Sequence, residues 1–106
     1  MINAKKEFLD HIAEQYTNGR IVRCAKIKLY TEKSTIECIL PVGYTPEDQE
    51  SFLKKIDLKY NSGYGGQNLY GTIWYNDGLT WSQRGEYDGS EWYEFMEMPR
   101  ISTELY

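Results

Sequence analysis

From Asn3 to Tyr16 the apolar side chains Phe8, Leu9, Ile12, Ala13 and Tyr16 recur every three or four positions, which is the period of one helix face. Asn3 stands where an N-cap belongs, and Asn18-Gly19 supplies the stop. The period then changes to two. Ile21 to Tyr30 and Thr35 to Leu40 alternate branched with charged residues, and the polar link Thr31 to Ser34 makes them a hairpin that carries Cys24 and Cys38. Pro41, Gly43 and Pro46 break the alternation. Thr45-Pro46-Glu47-Asp48 combines an N-cap oxygen, a first-turn proline and acids against the helix dipole, which predicts a helix over Pro46 to Leu58 with Phe52, Leu53 and Ile56 as its apolar edge. The glycine-rich segment Asn61 to Asn68 opens onto a strand, whereas a phosphate-cradling loop opens onto a helix N-terminus. It therefore reads as a connection.

The rest of the chain is a meander. Strands are predicted at Leu69 to Tyr75, Leu79 to Tyr87 and Glu91 to Met98, with Asn76-Asp77-Gly78 and Asp88-Gly89 as hairpin turns of type I′ chemistry and Pro99 as the end. The fold class is α+β: two helices on an antiparallel sheet of about five strands, in the order α-β-β-α-β-β-β, forming a single domain over residues 1–106. Alternation sorts the meander into two faces. On the first of these strands Leu69, Gly71, Ile73 and Tyr75 oppose Tyr70, Thr72 and Trp74; on the second Trp81, Gln83, Gly85 and Tyr87 oppose Thr80, Ser82, Arg84 and Glu86; on the third Trp92, Glu94 and Met96 oppose Glu91, Tyr93 and Phe95. One face must pack on the helices and the other must hold a semi-exposed aromatic surface.

Composition adds weight to that surface. The chain has 10 tyrosines and 3 tryptophans in 106 residues. Cross-strand aromatic pairs ordinarily stabilise antiparallel sheets, but this supply exceeds what pairing requires, and tyrosine, tryptophan and arginine are enriched at binding hot spots. Sixteen acidic residues against 12 basic ones give a net charge of -4, which disfavours nucleic acid or anionic lipid as a direct partner. Arg20, Arg23, Lys26 and Lys28 then read as a solvated sheet face. No segment has the roughly 18 apolar residues of a membrane span, and Met1 to Tyr16 is charged and amphipathic rather than signal-like, so a cytoplasmic protein is expected. Cys24 and Cys38 lie on neighbouring strands, close enough for a disulfide to be conceivable, yet two half-buried free thiols fit that compartment better.

The catalytic inventory is thin. His11 is the single histidine and is expected as a surface imidazole on the first helix; with no CxxC and no HExxH, neither a metal nor a cofactor is expected. Arg84, Glu86, Asp88 and Glu91 gather around the last turn, where two carboxylates on adjacent strands have the form of an acid/base pair. Beside an arginine such acids are expected as solvated ion pairs, so no catalytic residue is assigned and no enzyme is expected.

The run Gly71-Thr-Ile-Trp74-Tyr-Asn-Asp77-Gly78-Leu-Thr-Trp81-Ser-Gln-Arg84-Gly85-Glu86-Tyr87-Asp88-Gly89-Ser90-Glu91-Trp92 resembles a family of small bacteriophage and prophage proteins, and Ser62-Gly63-Tyr64-Gly65-Gly66 is similar as well. The resemblance covers the C-terminal third to half of the chain. Two departures stand out: Leu79 is an additional residue before Thr80-Trp81, and Tyr93 replaces a second tryptophan. The added residue lengthens the turn or makes a bulge, which leaves the register of the following strand open. The family brings no activity. What it implies is context: a host-takeover or anti-defence factor that binds and blocks a bacterial host protein in the host cytoplasm. If that target grips nucleic acid, an acidic surface competes for its basic groove and salt weakens the complex.

These readings converge on a non-enzymatic protein-binding module, with Tyr70, Trp74, Tyr87, Trp92 and Tyr93 as anchors and Arg84, Glu86, Asp88 and Glu91 at the rim. A small-ligand domain stacking a sugar or nucleotide on the aromatic face, and a homo-oligomer formed through that face or a sheet edge, are the alternatives.

Overall fold

The computed structural model describes residues 1–61 and 66–106. Residues 62–65, and with them the reading of the glycine-rich connection, lie outside the described residues. The elements run β1 (Ile2–Asn3), α1 (Ala4–Thr17), β2 (Val22–Tyr30), β3 (Thr35–Leu40), α2 (Pro46–Lys55), β4 (Lys59–Tyr60), β5 (Leu69–Tyr75), β6 (Thr80–Tyr87) and β7 (Ser90–Glu97), with a 3-10 turn at Thr103–Leu105. The α+β class and its element order hold, and the two-residue strands β1 and β4 are additions that alternation is too short to show.

The local starts are those the sequence predicts. Asn3 accepts the backbone N–H of Lys6, and Thr45 and Asp48 form a reciprocal capping box in front of Pro46. Gly19, at φ 80°, closes α1 by donating to Tyr16 while Arg20 donates to Gln15. α2 ends at Lys55, three residues short of the predicted Leu58, because the chain turns there and the Leu58 carbonyl accepts the N–H of Ala4 at 2.8 Å. That bond leads into the β1–β4 pair, Ile2 opposite Tyr60.

Five antiparallel strands form the main sheet in the order β3-β2-β5-β6-β7. The first hairpin therefore joins the meander through β2 and β5, with Ala25 opposite Ile73 and Leu29 opposite Leu69. The register around Leu79 is settled as Trp74 opposite Trp81 and Thr72 opposite Gln83. The turn before it is not type I′. Among the described residues between Tyr75 and Thr80 only Gly78 has positive φ, and the Asp77 carboxylate instead accepts from the backbone N–H groups of Leu79 and Thr80 and from the Thr80 hydroxyl. The turn thus absorbs Leu79 without shifting β6. At Asp88-Gly89 both φ angles are positive, 51° and 84°, as the tight hairpin requires.

Both helices lie on one face of this sheet. Phe8 of α1 and Phe52 of α2 meet edge to face at 5.1 Å, over a floor of Ala25, Ile27, Leu29, Cys38, Leu40, Leu69, Ile73 and Tyr75. Each such enclosed aliphatic or aromatic side chain contributes about 1.5–3 kcal/mol of burial free energy. Gly71 belongs to this layer for a steric reason: a Cβ there would stand 2.4 Å from the Lys26 carbonyl oxygen.

Candidate functional site

With the helices on one side, the opposite face of the sheet has no covering element among the described residues. Register places its side chains in rows across the strands. One row runs Cys24, Trp74, Trp81, Met96; the next Ile39, Lys26, Thr72, Gln83, Glu94; a third places Glu37, Lys28 and Tyr70 on one half and Gly85 with Trp92 on the other. Trp74 is 43% exposed, Tyr70 42% and Trp92 37%. Tyr30 packs edge to face on Tyr70 at 5.4 Å, and the Trp92 indole lies over Gly85, where a Cβ would come within 2.9 Å of its Nε1. Missing side-chain volume at Gly85 thus lets the indole lie along the strand. Charge divides across the face: Arg23, Lys26 and Lys28 line the β2 side beside Glu37 of β3, with Glu94 on β7 and Asp88 at the turn beyond it.

At one end of the face a groove of about 430 Å³ opens where the β5–β6 turn, the loop after β3 and the end of β7 converge. Trp74, Trp81, Val42, Leu79 and Met98 line it, and Arg23 is its single charged lining residue among the described residues. Four of those apolar side chains, Val42, Trp74, Leu79 and Met98, are exposed. An exposed apolar cluster with a polar edge is what distinguishes a binding site from scattered surface hydrophobes.

The other face holds a buried polar cluster that changes the reading of several candidates. Arg84 points inward from β6, with its side chain 1% exposed; Nη1 lies 3.0 Å from Glu7 Oε1 and Nη2 3.6 Å from Glu91 Oε1. Nη2 also donates to the Tyr60 hydroxyl at 2.8 Å, and Tyr60 donates to Glu7. The Glu7 contact is an ion pair not aligned as a hydrogen bond, and Nε has no hydrogen-bond partner among the described residues. The guanidinium plane instead rests on the Tyr93 ring, 4.4 Å from its centroid. Glu91 is as deeply placed, its side chain 0% exposed, and accepts the N–H groups of Asn68 and Leu69, each at 2.9 Å. It thereby pins the start of β5.

A second chain of polar groups adjoins the first. His11 stacks on Tyr93 at 5.1 Å, and its Nε2 lies 2.6 Å from the Ser82 hydroxyl, which is itself 2.6 Å from the Tyr75 hydroxyl. Ser82 has one proton to give, so it donates to at most one of these two neighbours and accepts from the other or from both. Burial lowers the His11 pKa, with Arg84 acting in the same direction and Glu14 and Glu7 opposing. Burial raises the phenols of Tyr60 and Tyr93 far above the ordinary value, so both stay protonated, and Tyr60 keeps the proton it donates to Glu7. A serine beside a histidine suggests a nucleophile, but Ser82 is fully enclosed and lines none of the clefts described, so the arrangement acts as internal polar packing.

The predicted site residues therefore divide. Tyr70, Trp74 and Trp92 share the open face; Tyr87 and Asp88 are exposed at its β6–β7 corner, whereas Glu86, opposite Glu91, is exposed on the helix side by strand parity and accepts the Gly89 N–H at 3.0 Å. Arg84 and Glu91 do not belong to the rim, nor Tyr93 to the anchors, because strand parity turns them inward against α1 and Tyr60. The Arg84–Glu91 pair is buried rather than solvated, and His11 is a half-buried packing residue rather than a surface imidazole. Trp81, Val42, Leu79, Met98 and Arg23 were not singled out as binding residues by sequence. Trp81 would have followed from the Trp74 register, whereas Val42 and Met98 reach the groove only through the tertiary fold. Cys24 is half-buried on the open face and Cys38 buried on the other, both free; their opposite directions exclude the disulfide.

No helix among the described residues is long and apolar enough to cross a membrane, and none of them form a group of three or more His, Cys, Asp or Glu side chains placed to hold a metal ion. No family model, curated protein or solved structure matches this chain.

Proposed function

We propose that this chain is a non-enzymatic protein-binding module that docks through the open face of its sheet. The observation that carries the reading is the uncovered face itself: three large rings, Tyr70, Trp74 and Trp92, each more than a third exposed on a rigid antiparallel scaffold. Rigid aromatic side chains lose little conformational entropy on binding and supply most of the energy at protein interfaces. The partner class is a bacterial host protein, blocked in the host cytoplasm as a takeover or anti-defence step; this part rests on the resemblance of residues 71–92 to phage and prophage sequences. Basic and acidic flanks on opposite sides of the face favour a partner with the complementary division, more than a uniformly basic one.

Affinity capture from bacterial lysate with the wild-type chain and with Trp74→Ala and Trp92→Ala tests the proposal. Loss of one captured protein with both variants, while their unfolding midpoints stay near wild type, supports it; undiminished capture by both removes the face from the account. The groove supports a second reading, a small-ligand domain for a sugar or nucleotide, since about 430 Å³ lies within the usual range of ligand clefts.

A further inference from the structure

The groove at the end of the open face has chemistry of its own. Its walls are the indoles of Trp74 and Trp81 with Val42, Leu79 and Met98, and among the described residues its only charged lining residue is Arg23. The neighbouring cations have other company: Lys26 lies 3.7 Å from Glu37, Lys28 sits over the Tyr30 ring at 5.7 Å, and Arg20 over Phe95 at 4.0 Å. Arg23 is exposed and its guanidinium has no ion pair or hydrogen bond among the described residues. It follows Val22 at the register shift in β2, so it stands outside the regular pairing that would fix it along the strand. The indole of Trp81 already donates to Gln83 at 3.1 Å, which leaves, among the described residues, the Trp74 indole N–H and the Arg23 guanidinium as unused donors of the groove, the guanidinium being the charged one.

Building on the docking reading above, we infer that this groove is the anchor pocket for the partner and that it receives a bulky apolar or aromatic side chain standing next to a carboxylate. The apolar part fills the space between Trp74 and Met98; the carboxylate meets Arg23 at the mouth. A guanidinium is suited to that role because its planar fork binds both carboxylate oxygens, and the complementarity is local, since the chain as a whole carries a net charge of -4. A neutral or basic segment of equal bulk fits the walls and leaves the fork unused.

The minimal probes are N-acetyltryptophan, which pairs an aromatic ring with a carboxylate, and N-acetyltryptophanamide, which has the same ring without the charge. Titration into isotope-labelled protein is followed by the indole N–H signals of Trp74 and Trp81 and the backbone amides of Arg23 and Leu79. Saturable shifts confined to this end of the face are expected, with the acid binding about two- to fivefold tighter than the amide, the scale of an exposed ion pair. In Arg23→Gln that ratio should fall to about one while amide binding stays unchanged. Absence of saturable shifts with either probe overturns the pocket, and equal affinities in the wild-type protein overturn the carboxylate requirement. Partner capture that depends on Trp92 and Tyr70 but not on Trp74 or Arg23 also overturns this inference while leaving the docking face standing. If the acid binds and capture is indifferent to Trp74, Arg23, Trp92 and Tyr70 alike, the docking reading falls and with it the assignment of a partner segment to the groove.

Discussion

Replacing Arg84 with methionine keeps an apolar stem out to about the position of Nε and deletes the charged end of the side chain. Glu91 is then left as an enclosed carboxylate and Glu7 as a largely enclosed one, at 0% and 19% side-chain exposure, while Tyr60 loses a donor at 2.8 Å. Removing one member of a buried ion pair costs about 3–5 kcal/mol, chiefly because the remaining charge is uncompensated. Two features place this case at the lower end: Glu91 keeps two backbone N–H donors and Glu7 retains some water. A loss of about 3 kcal/mol is expected, a large share of the ~5–15 kcal/mol that holds a typical domain folded. At ~4–8 °C per kcal/mol this lowers the thermal midpoint by about 12–24 °C. The assay is urea unfolding followed by circular dichroism, with the change read from the midpoint at constant slope. Lys6→Ala is the control; its exposed partner Asp10 lies 2.9 Å away, and such a pair is worth less than ~1 kcal/mol. Adding Glu7→Gln to Arg84→Met should restore part of the loss, because it removes one stranded charge. An Arg84→Met variant destabilised no more than the control would refute the reasoning, since the guanidinium would then be solvated.

Stability should depend on pH through His11. Its ordinary pKa is 6.5 and burial lowers it in the folded protein, so the unfolded chain takes up the proton first as pH falls. The contribution is complete above about 6.5 and is lost as pH drops from there towards the folded value; His11→Gln should flatten the unfolding midpoint over that window. Gly71→Ala should cost about 1–3 kcal/mol in the same urea assay, because φ is 150° and the new methyl meets backbone atoms that cannot yield. Gly85→Ala should displace the Trp92 indole and shift its N–H resonance while Trp74 stays in place; an unmoved Trp92 signal would contradict the packing of that ring on the strand.

Alternation was enough to sort the side chains within each strand of the meander into two sets, but Leu79 left open which sets of β5 and β6 share a face until the pairing of Trp74 with Trp81 fixed the register. Alternation was not enough to say which face lies under the helices. On β6 the inward set is Thr80, Ser82 and Arg84, whose polarity reads as a solvent face until Glu7, His11 and Tyr60 are brought opposite by distant parts of the chain. Each of those contacts is long-range, so no local period announces it. For the same reason the Arg84–Glu91 pair looked like turn decoration. The β2–β5 pairing, which builds one sheet from two hairpins, likewise has no signal in either strand alone. Caps and turns, by contrast, are local chemistry: Asn3, Thr45 with Asp48, and Asp88-Gly89 act where their sequence places them. Asp77 shows the limit, since its carboxylate satisfies the turn by side-chain hydrogen bonds and a type I′ backbone is not needed.

Solvent accessibility of the aromatic rings, measured by NMR with a neutral paramagnetic relaxation agent at two protein concentrations, tests the docking face most directly. Strong attenuation at both concentrations is expected for the side-chain signals of Trp74, Tyr70 and Trp92, with Ile73, Leu69 and Tyr75 protected. Protection of the two indoles and Tyr70 would mean that the face is already covered, by this chain or by another copy of it, and the surface would not be open to a partner.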